Sequence, residues 1–86
     1  MNQGIQFPGR EWWDEELQSV CFTALVDGFR VTCAIRGESL LRRFETEQTA
    51  LSAFVNHRWT LEEEAEMAIK GQKENHQGWI WLSSER

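Results

Sequence analysis

The densest group of ionisable side chains is the run NHRWTLEEEAEMAIK, Asn56 to Lys70, in which His57 and Arg58 precede Glu62, Glu63 and Glu64. Three chemistries use such residues. A histidine beside a carboxylate can move protons. A histidine with two carboxylates can hold a divalent metal. Three acids in the first turn of a helix can serve the helix dipole instead, at about 0.3–1 kcal/mol each. The spacing favours the last. A helical zinc motif repeats its histidine after four residues with a glutamate between. Here His57 lies across a helix break from the acids, and the second histidine, His76, falls near the far end of the same helix. Thr60 and Glu63 have the spacing of a capping box. Glu66 and Lys70 stand in the favourable i, i+4 order, worth about 0.2–0.5 kcal/mol. The run is expected to be a helix start, with no catalytic residue, no metal site and no cofactor.

Other candidates are weaker. Ser39, Ser52 and Cys21 have no nucleophile signature around them. The glycines are scattered and form no phosphate-binding loop. Arg36, Arg42, Arg43 and Arg58 cluster in the middle of the chain. They form either a local anion-attracting patch or solvated charges paired with Glu38, Glu45 and Glu47. Trp12 and Trp13 cannot both point inward if their segment is extended, so one is exposed or covers the open face of a sheet. Exposed tryptophan marks protein interfaces. The candidate interaction surface is therefore Arg36, Arg42, Arg43, His57, Arg58, Trp12 and Trp13. Trp59 is expected to plug the corner between two helices, and Trp79 and Trp81 to be core or sheet cover.

These residues need a scaffold, and 86 residues allow one domain, 1–86. A chain of this size buries roughly 60–65% of its unfolded surface, which leaves little room for a large cleft. Ten large aromatic rings, five Trp and five Phe, supply much of the core. The net charge is −5. Binding to nucleic acid depends on phosphate neutralisation by Lys and Arg, so it is not expected, and anionic membranes are disfavoured in the same way. Cys21 and Cys33 form no CxxC pair. No secretory leader is expected from MNQGIQFPGREWW, and no run approaches the roughly 18 apolar residues of a membrane span. A cytoplasmic protein with free thiols is expected.

The strongest structural signal is VCFTALVDGFRVTCAI, Val20 to Ile35. Asp27–Gly28 is a two-residue hairpin turn. Its register pairs Val26 with Phe29, Ala24 with Val31, Phe22 with Cys33 and Val20 with Ile35. It gathers these eight apolar side chains on one face. Ser19, Cys21, Thr23, Leu25, Arg30, Thr32, Ala34 and Arg36 share the other. Cys33 is expected in the core, and Cys21 partly exposed on the opposite face. Apolar spacing then predicts helices over about 38–44, 47–57 and 60–71, with Thr46 a candidate N-cap. The third carries the stripe Leu61, Ala65, Ala68 and Ile69. QGWIWL predicts a closing strand over about 77–82, and IQF a candidate strand over about 4–7. The order implies an α+β fold, a small antiparallel sheet packed against two or three helices.

The strings IQFP, WDEE, CAIRGESLLRRF, HRWTLEEEAE and QGWIWL, running from about Ile5 to Leu82, resemble the YrdB-like family of small proteobacterial proteins of unknown function. The resemblance implies an α+β domain and implies no enzyme activity, cofactor or functional residue. The reading of the sequence is a small cytoplasmic non-catalytic protein-interaction or accessory module, with a protein partner or a homodimer. The first alternative is a small-anion or enzymatic site near His57 and Arg58 with Arg42 or Arg43. The second is a regulator that binds nucleic acid through the arginines.

Overall fold

The Asp27–Gly28 turn sets the sheet. In the computed structural model, which describes residues 4–71 and 78–82, both turn residues have positive φ, +53° and +87°. Asp and Gly tolerate that combination, and a type I′ hairpin requires it. The turn joins β3 (Ser19–Val26) to β4 (Phe29–Arg36). Val26 pairs with Phe29, Phe22 with Cys33 and Val20 with Ile35, which is the register read from the sequence. Along the outer edge of β3 lie two short antiparallel strands, β1 (Ile5–Gln6) and β2 (Glu11–Asp14). The second of these was not expected. After β4 come α1 (Gly37–Arg43), α2 (Ala50–Asn56) and α3 (Arg58–Lys70), and then β5 (Ile80–Trp81).

The fold is α+β, but the sheet is mixed rather than wholly antiparallel. β5 runs parallel to β4, Cys33 opposite Ile80 and Ala34 opposite Trp81. Three helices separate the two strands and return the chain to the starting end of β4, and a parallel pair needs such a crossover. Residues 72–77, including His76 and the start of the expected last strand, lie outside the described residues.

The helices cover one face of the sheet. Val20, Phe22, Ala24, Cys33 and Ile35 are buried there against Leu40, Phe54, Leu61 and Ala65. Phe22 and Phe54 meet at 4.7 Å between ring centroids. The apolar face is not buried to its tip. Phe29, the first residue of β4 after the turn, is 76% exposed.

The other face also departs from expectation. Cys21 is fully buried, as are Ser19 and Ala34. Register supplies the reason. Trp12 is the cross-strand neighbour of Cys21, Cys21 of Ala34, and Ala34 of Trp81. Two indoles thus flank two small side chains in one row across the sheet.

The first helix starts within a residue of its expected place, and the other two do not. Thr49 caps α2, not Thr46; its hydroxyl accepts from the Ser52 N–H at 3.0 Å, and Ser52 closes a capping box. α3 begins at Arg58 directly after His57, which ends α2, so Thr60 is already helical and caps nothing. Glu63 accepts instead from Trp59 Nε1 at 3.2 Å. The early start also turns Trp59 outward. It is 77% exposed rather than plugging the corner, while Leu61, Ala65 and Ile69 form the buried stripe.

Candidate functional site

The packet around His57 is spread over three joints between elements. Arg58 Nη2 donates to Glu11 Oε1 at 2.7 Å, tying α3 to β2, and its guanidinium carbon stands 5.2 Å from the Phe54 ring centroid. Arg43 grips Glu64 with two parallel bonds of 3.0 and 2.7 Å, tying α1 to α3. Such a fork matches guanidinium to carboxylate geometry, and it pushes the Arg43 pKa up. His57 stacks on Phe44 at 3.8 Å, with Nε2 3.4 Å from Glu47 Oε2.

Glu62 is a poorer partner. Burial raises its carboxyl pKa, Arg58 offsets part of that, and Glu11 adds to the rise. The Arg58 Nη1 atom is 3.8 Å away, too far to make up for the lost water. Among the described residues, no three of His, Cys, Asp and Glu are grouped to hold a metal ion. Burial also keeps both thiols protonated, with the Cys21 pKa raised to about 11 and the Cys33 pKa to about 12. Asp14 adds to the first shift and Cys21 to the second. The thiolate, which is the nucleophile, is scarce at neutral pH.

A different region has the shape of a binding site. The helix-free face of the sheet carries a groove of about 740 Å3 lined by Pro8 to Trp12, Thr23, Leu25, Arg30 and Thr32. Strand alternation explains why these residues meet. Thr23 pairs with Thr32 and Leu25 with Arg30 across the hairpin, and all four point away from the helices. Trp12 forms a wall and is 40% exposed. Beyond it on the same face lie Trp79 and Trp81, stacked at 6.1 Å between centroids.

The two sides of the sheet treat their cations differently. On the helical side Arg43, Arg58 and Lys70 each face a carboxylate. On the helix-free side Arg10, Arg30 and Arg36 are exposed, and their side chains make no hydrogen bond or ion pair with any described residue. Lys73 and Arg86 lie outside the described residues.

Of the seven surface candidates, Trp12 and Arg36 lie on the helix-free face. Trp13 points to the other side, packs against the core and donates from Nε1 to Glu15 at 3.0 Å. Arg43, His57 and Arg58 occupy the joints described above, and Arg42 is exposed on α1. Arg10, Thr23, Arg30 and Thr32 were not singled out from the sequence. The hairpin register had put three of them on one polar face, but only the bend at Pro8–Arg10 brings a fourth beside them.

Comparison with known proteins gives consistent results. A family model for proteins of unknown function, DUF1488, matches residues 5–82. The uncharacterized protein YrdB of Escherichia coli (strain K12) is 58% identical over 84 residues, covering 95% of this chain and 99% of that one. Its counterpart in Shigella flexneri is 57% identical with the same coverage. A crystal structure of a DUF1488 family protein of unknown function from Shewanella loihica PV-4 superposes with a TM-score of 0.86 at 33% identity, covering 95% of this chain and 94% of that one.

Proposed function

The chain belongs to the DUF1488 family of proteins of unknown function, and from that premise we propose that it is a non-catalytic interaction module that docks a partner on the helix-free face of its sheet. The observation that carries this reading is the division of the cations. Paired arginines hold the fold together on one side, and on the other, beside an exposed Trp12, stand arginines with no partner among the described residues. Tryptophan and arginine are the residue types that most often anchor interfaces. A small-anion or enzymatic site around Arg42, Arg43, His57 and Arg58 has less support, since three of those four already face a carboxylate within 4.0 Å. The reading assigns the module to the cytoplasm, in keeping with its two free thiols.

The test is purification from cells that carry the chain naturally, in three forms: parent, Trp12→Ala with Arg30→Glu, and Trp59→Ala. A partner that co-elutes with the parent and with Trp59→Ala, and is lost from the double variant, supports the reading. A partner retained by the double variant, or a parent that elutes alone as a monomer, contradicts it.

A further inference from the structure

We infer that the groove on the helix-free face takes an extended acidic polypeptide segment that carries a large apolar side chain. The inference rests on the reading of that face as a docking surface and names its occupant.

Charge comes first. Arg10 and Arg30 line the groove, and Arg36 lies farther along β4 on the same face. Their guanidinium groups have no partner among the described residues. Asp14 is the acid that the β2 register puts on this face, and its Oδ1 accepts from the Leu17 N–H at 2.9 Å. Glu11 also lines the groove, but its carboxylate is engaged by Arg58 at 2.7 Å. The face is therefore positive in a chain whose net charge is −5. A guanidinium fork fits a carboxylate with two parallel bonds.

Shape comes second. Arg30 and Arg36 are six residues apart on one strand, about 20 Å at strand rise. An extended segment of about six residues spans that distance, and its alternate side chains face the sheet every ~7 Å. Between the charged ends lie the Trp12 ring, which suits an apolar side chain, and the Thr23 and Thr32 hydroxyls, which suit backbone amides; Leu25 adds apolar surface across the hairpin from Arg30. An acidic, partly apolar strand uses all of these groups.

A nucleic acid uses them less well. Its phosphates need cations along a continuous track. Here three arginines stand on a protein of net charge −5, which repels a long polyanion and tolerates a peptide with two or three carboxylates.

The test is selection of a random dodecapeptide phage library on the parent protein. Enriched peptides are then titrated by fluorescence anisotropy against Arg10→Glu/Arg30→Glu, Trp12→Ala and Trp59→Ala. These sites are exposed, and thermal melts check that each variant folds. The expected result is enrichment of sequences with several Asp or Glu and a large apolar residue. Their affinity should fall at least tenfold in the first two variants, fall with added salt, and stay unchanged in Trp59→Ala. Neutral or basic peptides that still depend on Trp12 would overturn the acidic occupant while leaving the docking face intact. Peptides indifferent to both groove variants would overturn both. Failure to enrich any peptide, stronger competition by an oligothymidylate, or concentration-dependent self-association abolished by Arg10→Glu/Arg30→Glu would also overturn the acidic-peptide assignment.

Discussion

The indole of Trp13 lies so close over Gly37 that a Cβ there would stand 2.8 Å from Cη2 and 2.9 Å from Cζ3. The glycine that opens α1 is thus a matter of space, and it lets β2 lie flat against the start of the helical layer. Gly37→Ala should lower stability by about 1–3 kcal/mol in urea unfolding, as overpacking does. Trp13→Phe removes the two crowding atoms. In that background the same alanine should cost much less, since a helical alanine is otherwise favoured over glycine. Equal costs in both backgrounds would show that the ring does not set the requirement.

Glu62 should show the opposite of a stabilising charge. Its folded carboxyl pKa is raised, chiefly by burial. A carboxyl of that kind favours the folded state as pH falls and costs stability once it is ionised. Glu62→Gln should therefore be at least as stable as the parent at neutral pH. The advantage should vanish as pH drops through the folded pKa, where the parent carboxyl is protonated as well. A variant clearly less stable at neutral pH would mean that the pair with Arg58 outweighs burial.

Both cysteines should be silent in the folded protein. Cys21 and Cys33 are buried, with pKa values raised to about 11 and about 12. A colorimetric thiol reagent at neutral pH should titrate neither in the native protein and both in denaturant. The native reaction rate should follow global opening. Fast labelling of Cys21 would mean that the row flanked by Trp12 and Trp81 opens locally.

Two aromatic residues on neighbouring helices should behave very differently. Phe54 is fully buried against Phe22, and Phe54→Ala should cost about 3–5 kcal/mol. Trp59 is 77% exposed, and Trp59→Ala should change stability by no more than about 0.5 kcal/mol. Chemical denaturation of both variants checks the contrast.

The hairpin was legible because its turn is local. Asp27–Gly28 fixes the register, and register alone decides which side chains share a face. The stripe of α3 was legible for a similar reason, the spacing of Leu61, Ala65 and Ile69. What the sequence hid depends on contacts between distant segments. The direction of β5 follows from the path of three helices, and the burial of Cys21 from neighbours brought in from β2 and β5. The start of α3 was hidden by a tight corner at His57, which left the Thr60 and Glu63 pattern unused. As for the site, Trp12 and Arg36 could be named, but the groove needs Arg10 and Arg30 together. These meet only when the bend after β1 is laid against the hairpin.

The division between a stapled helical side and a groove-bearing sheet side, whose arginines have no partner among the described residues, is tested most directly by NMR. The indole N–H signals and backbone amides are recorded while an acidic peptide from the selection is added. The account predicts shifts confined to Trp12, Thr23, Arg30, Thr32 and their strand neighbours, with the Trp59 indole unmoved. Shifts centred on Trp59, Met67 and the outer surface of α3, with Trp12 unchanged, would contradict it.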